Sequence, residues 1–343
     1  MKRKILIIPI ALTAVLVTVM LVNICIGRGN NKLYMPRNSV YYWKTTFSLD
    51  DYEVEFLQHH DIEKVYLRFF DVDVNHGDIF SDKCIPVATL DLDYGGGSLR
   101  DIKDLVIVPV VFITPEAIRE YRTFTDDLAH RLKAMCDAYN LNIEEVQFDC
   151  DWTSSTRDDF YQFLKDERLA LKKYFMMDVR LSSTIRLHQL AQTPPEVEYG
   201  VLMCYNTGNF KNFDTKNSIL DVEDVKPYLK YLKSYELPLT LALPTYLWHV
   251  EFDENKEFVR LSKPDYSAHN VYKPLGNNIY EVEKSYQGQR TKYVRFERVS
   301  SETILQVKEL VEDECGSLPI VLYHLDSKQL SKYTEDEIDS FYN

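Results

Sequence analysis

The chain has 343 residues, of which 45% are hydrophobic and 27% are charged, and its formal net charge is −13. This balance is typical of a globular protein with a full core, and it excludes a disordered, collagen-like or coiled-coil chain. Nucleic acids are not expected as partners, because binding a phosphate backbone needs a dense face of lysine and arginine. Composition alone names no reaction.

The first 26 residues predict a signal or membrane-anchor segment. Lys2, Arg3 and Lys4 precede a run without charge from Ile5 to Ile26, which as a helix would cross most of a bilayer. Cys25 is a lipidation candidate, because the residues before it loosely resemble a bacterial lipoprotein signal. A lipoprotein and an uncleaved anchor are equal alternatives, with a secretory peptide third. We therefore expect an exported cell-envelope protein, tethered to a membrane through this segment, with residues 27–38 as a polar tether.

Eight strand-like runs follow in the chain, separated mostly by helix-like runs. Continuous Val, Ile and Leu strands that alternate with helices indicate a parallel sheet covered on its outer side. Helices are predicted at 49–60, from Pro115, near 155–156, at 221–235, at 301–314 and from Thr334. The predicted strands are residues 39–47, 64–74, 105–114, 145–152, 181–187, 199–205, 237–248 and 318–325.

This order predicts an α/β fold, a (β/α)8 TIM-barrel-like domain over residues 39–343. An open doubly wound sheet is the alternative. Residues 250–298 break the alternation and predict an inserted hairpin region before the last helix–strand unit. The sequence has no nucleotide-binding glycine motif and no zinc-type cysteine spacing, so no cofactor is expected.

Polar and aromatic residues gather at the predicted carboxyl ends of the strands, where barrel enzymes hold their active sites. Each residue alone is unremarkable, because polar side chains are common where strands meet solvent. Together they predict a pocket with carboxylates and rings on one face of the barrel. In strand order they are Arg68, Asp71, Asp73, Asp149, Asp151, Arg186, His188, Tyr205, Asn206, Tyr246, Trp248, His249, Tyr323, His324 and Asp326.

The segment Phe148–Thr153 is the sharpest of these elements. Side chains alternate along a strand, so Asp149, Asp151 and Thr153 share one face, and successive members lie ~6.6 Å apart. In the barrel interior two such carboxylates repel each other, which favours a shared proton and acid–base work. Asp149 and Asp151 are therefore the predicted catalytic residues. The alternative for Asp149 is a structural acid that binds Ser or Thr hydroxyls at 182–184.

Two motifs resemble those of family 18 glycoside hydrolases, the chitinase-like family. Its fourth strand carries D-x-x-D-x-D-x-E, and residues 146–153 read V-Q-F-D-C-D-W-T, so Asp149 and Asp151 match the central acids. Val146 replaces the first acid, and Thr153 stands where that family has its general-acid glutamate. The chain also resembles an uncharacterised family of exported bacterial barrel proteins with a V-Q-F-D-x-D-like strand, from which no activity carries over.

The second motif is Met203–Asn206, which is similar to the family's sixth-strand M-x-Y-D with Asn in place of Asp. The resemblance implies that Tyr205 and Asn206 line a sugar subsite. The eighth-strand tryptophan of the family has no clear match. Other predicted substrate-binding residues are Tyr246, Trp248, Asp71, Arg68 and His324.

The lost glutamate leaves two predictions open, since hydrolysis by this route needs a proton for the leaving oxygen and a threonine hydroxyl cannot supply it. The first is a glycosidase-like hydrolase that uses Asp151 with another acid, for which Asp71, Asp73 and Asp326 are candidates. The second is a non-catalytic protein, on a decayed glycosidase scaffold, that binds a glycan or another cell-envelope partner.

Metal chemistry is the weaker alternative for the same face. Asp149, Asp151, His188 and His324 could hold a cation, but no metal site is expected. His59 and His60 lie on a predicted helix without a carboxylate at ligand spacing, and we expect them at the surface. Trp152 should point away from Asp151 into the core, because neighbouring strand residues face opposite sides.

Overall fold

The structure is a computed structural model, and it describes residues 38–77, 82–92, 102, 104–263, 272–283 and 290–343. The predicted anchor over residues 1–26, with Cys25, lies outside the described residues, as does the tether before Asn38. Within those ranges, no helix is long and apolar enough to span a membrane.

Sixteen strands lie within these ranges, and eight of them form one parallel barrel. The strands are β1 (Asn38–Tyr42), β2 (Thr46–Phe47), β3 (Lys64–Val74), β4 (Cys84–Val87), β5 (Asp91–Leu92), β6 (Val106–Ile113), β7 (Glu145–Cys150), β8 (Arg180–Arg186), β9 (Tyr199–Met203), β10 (Leu239–Pro244), β11 (Leu247–Phe252), β12 (Phe258–Ser262), β13 (Tyr272–Gly276), β14 (Ile279–Val282), β15 (Tyr293–Arg298) and β16 (Ile320–Tyr323).

The barrel is closed, because β1 pairs in parallel with β16 on one side and with β3 on the other. Every neighbouring pair around the cylinder is parallel, in the order β1-β16-β10-β9-β8-β7-β6-β3. The predicted TIM-barrel-like fold is therefore confirmed, and the open doubly wound sheet is wrong. The strands are apolar because both of their faces are covered; all six residues of β7, for example, are buried.

Helices connect most of the barrel strands and cover the outer side. Several begin at a side-chain cap: Asp50 and Glu53 form a reciprocal capping box, as do Thr334 and Glu337. The helices are α1 (Asp51–His59), α2 (Thr125–Ala138), α3 (Arg157–Phe175), α4 (Val222–Leu229), α5 (Ser301–Cys315), α6 (Ser327–Leu330) and α7 (Glu335–Tyr342), with 3-10 segments at Ala117–Thr123, Leu187–Ala191 and Leu232–Ser234.

The insertion between β10 and α5 is larger than the predicted hairpin. It is a five-stranded antiparallel sheet in the order β12-β11-β15-β14-β13. The predicted strand 237–248 is divided, because β10 ends at Pro244 and Leu247 already begins the inserted sheet. Trp248 and His249 therefore belong to the insertion and not to the barrel wall.

A buried ion pair fastens this sheet to the loop after β9. Arg295 and Glu297 have side chains with no exposed surface and lie 2.5 Å apart. Arg295 donates to the carbonyl oxygens of Phe210, Asn212 and Phe213, and Glu297 accepts from the backbone N–H of Ser218 at 3.0 Å. This network positions residues 207–221 beside the barrel mouth.

Candidate active site

Arg186, at the end of β8, connects the two predicted catalytic acids. Its Nε donates to Asp151 Oδ1, and its Nη2 lies 3.1 Å from Asp149 Oδ1. The strand register explains this, because Phe148 pairs with Ser183, so the residues after them run side by side towards the barrel mouth. One guanidinium therefore pairs with both carboxylates.

Asp149 is a buried acid, only 4% exposed. Thr184 Oγ1 donates to its Oδ1 at 2.6 Å, so the alternative that hydroxyls at 182–184 bind Asp149 is correct. Burial raises the pKa of Asp149, and the charges of Asp151 and Asp71 add to the rise. Arg186 and the Thr184 hydroxyl lower the pKa in opposition. Asp149 is thus held in place from two sides within the barrel.

Asp151 is more accessible, with 49% of its side chain exposed. It lies on a small cavity of about 230 Å³ at the carboxyl ends of β7 to β9. The cavity brings together predicted residues from three neighbouring strands. Its lining is Asp151, Arg186, Leu187, His188, Met203, Tyr205, Asn206, Thr207 and Tyr228.

Thr153, at the general-acid position of the resembled family, does not point a proton donor at this cavity. It is exposed, and its hydroxyl lies 3.0 Å from the Ser155 hydroxyl in the turn that leads into α3. Trp152 is 1% exposed, with its ring 5.5 Å from that of Tyr161, so the prediction that it packs in the core is confirmed.

Tyr205, Asn206 and Tyr246 meet beside Asp151's cavity. Tyr246 donates its hydroxyl to Asn206 Oδ1 at 2.5 Å, and its ring packs edge-on against Tyr205 at 6.0 Å. Asn206 has a φ of 54°, a left-handed conformation that asparagine tolerates better than most residues. The Asn in place of the family's Asp is thus used as a hydrogen-bond acceptor for a tyrosine.

Tyr323, at the end of β16, lies at the centre of an aromatic cluster across the mouth. Its ring centroid is 4.9 Å from Tyr205, 5.6 Å from Tyr246, 5.6 Å from Tyr41 and 5.7 Å from Trp43. Tyr41 is fully buried, whereas Trp43 and Tyr323 are partly exposed. We call Tyr41, Trp43, Tyr205, Tyr246 and Tyr323 the aromatic floor.

Arg68 and Asp71 form a second arginine–carboxylate pair on the other side of the floor. Both Asp71 oxygens accept from Arg68, whose guanidinium lies 5.2 Å from the Trp43 ring centroid. Asp73 instead accepts from the Thr114 hydroxyl at 2.9 Å. The two candidate replacements for the lost acid near β3 are therefore already engaged.

The structure gives Trp248 and His324, two of the predicted substrate-binding residues, different surroundings. Trp248 donates its indole N–H to Glu297 at 2.7 Å and packs 5.4 Å from Tyr246, so it supports the insertion more than it offers a free platform. His324 is half-buried, and its Nδ1 has no hydrogen-bond partner in the described ranges. Burial lowers the pKa of His324 to about 4.

The prediction that His59 and His60 form a surface pair is wrong for His60. His60 is buried, and its Nδ1 lies 2.7 Å from Asp339 Oδ1, because α7 packs against the end of α1. His59, His60 and Asp339 hold their ligand atoms within 4.8 Å of one another. Among the described residues, no such group joins Asp149 and Asp151 to His188 or His324.

Arg186 and Trp43 are the site residues that sequence reasoning underrated. Arg186 stands at the carboxyl end of β8 and carries a positive charge that could offset Asp149 and Asp151, which is a readable signal once β7 and β8 are neighbours. Trp43 follows the first strand, and its place at a strand end also marked it as a site candidate. For neither residue does the sequence predict which side chains it contacts, because those contacts depend on the register of the sheet.

Comparison with solved structures finds this barrel in several carbohydrate-active enzymes. A family 18 chitinase from Flavobacterium johnsoniae aligns over 90% of this chain and 94% of its own, with a TM-score of 0.50 and 13% identity. A chitinase from Chromobacterium violaceum aligns over 90% and 97%, with a TM-score of 0.54 and 10% identity. The spore cortex-lytic enzyme SleL of Bacillus megaterium aligns over 90% and 75%, with a TM-score of 0.50 and 15% identity.

No protein-family model and no curated protein matches the sequence. At the identities of these structures the likeness establishes the fold alone. The closed eight-stranded barrel of this chain is similar to that of family 18 glycoside hydrolases, as the motifs on β7 and β9 predict.

Proposed function

We propose that this protein is a glycan-binding barrel that does not hydrolyse its ligand by the family 18 mechanism. The observation that carries the proposal is the Arg186 guanidinium held between Asp149 and Asp151. A glycosidase of this kind needs one carboxylic acid that donates a proton to the leaving oxygen. An acid that accepts from a guanidinium is held as the acceptor of an ion pair, so it is not placed to donate a proton to the leaving oxygen.

The other acids at the mouth are also occupied. Asp71 pairs with Arg68, and Asp73 accepts from Thr114. Asp326 caps α6 by accepting from the backbone N–H of Lys328 at 3.1 Å. The mouth therefore presents charges that are fixed in pairs, an arrangement suited to orienting hydroxyl and amide groups of a bound sugar.

The aromatic floor supplies the apolar part of such a site. Trp43 and Tyr323 expose part of their rings, and the C–H face of a sugar packs on rings of this kind. Asp151, Asn206 and His188 lie at the edge of the adjoining cavity and offer polar groups to the sugar's rim. Apolar contact beneath and polar contact at the side is the usual composition of a small-molecule site.

The hydrolase remains the second candidate because of one observation. Asp149 has a raised pKa and shares Arg186 with Asp151, so two carboxyl groups lie within reach of one bound group. If a ligand drew Arg186 away, burial would favour the protonated form of Asp149, which could then act as the acid beside Asp151. The test must therefore measure binding and product together.

The experiment uses the full chain with a tetramer of N-acetylglucosamine and soluble peptidoglycan fragments, read by titration calorimetry and by mass spectrometry of the products. We expect saturable binding without product, and weaker binding by Trp43→Ala. Asp178→Asn, which changes an exposed acid at the far end of α3, is the matched control. Product that forms with wild type and disappears with Asp151→Asn would overturn the proposal in favour of the hydrolase.

We further propose the cell envelope as its location, on the sequence of residues 1–26. A lipoprotein incorporates labelled palmitate, and Cys25→Ser abolishes the label. An uncleaved anchor leaves the Cys25→Ser protein in the membrane fraction at full mass. Recovery of wild type in the cytoplasmic fraction would contradict both.

A further inference from the structure

A second and larger cavity opens at the barrel mouth beyond the aromatic floor. It measures about 720 Å³ and lies where Lys44 follows β1, Leu247 begins β11 and Asp326 follows β16. Four lysines and two aspartates reach it, so its walls carry a net charge of +2 in a protein of −13. The lining is Lys44, Asp50, Leu247, Lys263, Asp326, Ser327, Lys328, Gln329, Ser331 and Lys332.

The lysines of this cavity are not equivalent. Lys44 is bound by Glu53 at 2.5 Å and lies 3.7 Å from Asp326, so its charge is already compensated. Within the ranges that the structure describes, neither Lys263 nor Lys328 forms an ion pair, and both are exposed. The positive charge available to a ligand therefore comes chiefly from Lys263 and Lys328.

The pKa of His324 responds to the lysines of this cavity. Burial is the main reason that its pKa is lowered to about 4, and the charges of Lys44 and Lys263 lower it further, against the opposing effect of Asp326. At neutral pH the ring is uncharged, and among the residues that the structure describes its Nδ1 has no hydrogen-bond partner. The imidazole thus adds no competing charge to the cavity.

The cavity is continuous in sequence with the proposed sugar site. Tyr323 of the aromatic floor is bonded directly to His324, and Asp326 lies two residues further on in the wall of the cavity. On the other side of the floor, Tyr205 lines the small cavity beside Asp151. A chain of sugars that crosses the floor would place one end at Asp151 and Arg186 and the other end among the lysines.

We infer that the lysine-lined cavity binds a carboxylate or phosphate substituent of the glycan, so that the ligand of this protein is an acidic glycan. The inference rests on the proposed glycan-binding function and adds the class of ligand. Ammonium groups attract either anion, and a cavity of this size admits a substituted sugar ring. Because the rest of the protein is acidic, the attraction is local and depends on these side chains.

The test compares three tetrasaccharides that all contain N-acetylglucosamine, on the detergent-solubilised full chain. They are the neutral N-acetylglucosamine tetramer, its 6-phosphorylated form and a hyaluronan tetrasaccharide, in which carboxylate-bearing sugars alternate with N-acetylglucosamine. Wild type should bind at least one of the two anionic ligands about tenfold or more tightly than the neutral tetramer. The ligand that gains more identifies the substituent, carboxylate or phosphate.

Variants then locate the effect. Lys263→Gln with Lys328→Gln should weaken binding of the preferred anionic ligand by about tenfold and leave the neutral tetramer within about twofold. Lys233→Gln removes an exposed lysine just before β10, at the opposite end of the barrel, and should change neither. Added salt should erode the advantage of the anionic ligand in wild type, because screening weakens the attraction.

The outcomes separate the two proposals. Equal affinity for all three ligands would overturn the inference and leave glycan binding intact. If the double variant still preferred an anionic ligand, the inference would also be overturned, because other residues would then bind the anionic substituent. If the protein bound none of the three ligands, both the inference and the proposed glycan-binding function would be wrong.

Discussion

Both ends of the barrel interior contain ion-paired side chains, which are sealed at one end and open to a cavity at the other. At the amino-terminal end, Lys64 and Glu145 lie 2.9 Å apart with side chains only 4% and 1% exposed. Tyr199 donates to Glu145, and so does the Ser182 hydroxyl at 2.7 Å. At the carboxyl-terminal end, Arg186 pairs with Asp149 and with Asp151, whose side chain is 49% exposed.

The contrast distinguishes a structural ion pair from one available to a ligand. Glu145 has its oxygens satisfied from several sides in a sealed space, so it has no capacity left for another molecule. Asp151 accepts a hydrogen bond from Arg186 and faces a cavity. Buried acids and bases thus occur at both ends of the barrel, and solvent access decides which end can bind.

The largest effect is expected at the sealed end. Lys64→Met should lower the free energy of unfolding by about 3–5 kcal/mol, because it leaves Glu145 charged and without its cation in the interior. Urea denaturation followed by circular dichroism measures this. Adding Glu145→Leu to Lys64→Met removes the orphaned charge and should recover part of the loss. A loss under about 1 kcal/mol in the single variant would show that the pair is not sealed.

A smaller but pH-dependent loss is expected at the open end. Arg186→Gln removes the cation that opposes the rise of the Asp149 pKa, so this pKa should rise further. An acid with a folded-state pKa above its unfolded value destabilises the fold as pH rises past the unfolded value, about 3.9 for aspartate. The loss should be about 2–3 kcal/mol at pH 7 and should shrink towards pH 4. A pH-independent loss would mean that Asp149 does not titrate in this range.

Glu167, on α3, shows what a buried acid does without any cation. It has no exposed surface, and within the described part of the chain neither carboxyl oxygen has a hydrogen-bond partner. Burial raises its pKa well above the ordinary 4.5, so the folded state is penalised as pH rises above that value. Glu167→Gln should therefore stabilise the protein by about 1 kcal/mol at pH 7 and by less at pH 4. The reverse order of these two values would contradict the assignment.

The barrel could be predicted from the sequence because each strand is an apolar run of the right length between helices, with β7 and β10 as the clearest examples. Asp149 and Asp151 could be placed on one face because the strand period is two. The pairing with Arg186 could not be predicted, because it depends on the register between β7 and β8, which matches residues 35 apart. The inserted sheet was undervalued because strands such as β12 and β13 are short and largely exposed, so neither forms a long, continuous apolar run.

The smallest effect on stability, and the sharpest on function, is expected from Asp151→Asn. Half-exposed ion pairs contribute little to folding, so the free energy of unfolding should change by less than about 1 kcal/mol. Binding of the N-acetylglucosamine tetramer should weaken several-fold, because the amide no longer fixes Arg186 at the cavity wall. Glu196→Gln, which removes an exposed acid paired with Lys165 on α3, serves as the control and should alter neither quantity. If Asp151→Asn destabilised the fold as strongly as Lys64→Met, the two ends of the barrel would be structural alike, and the site would have to lie elsewhere.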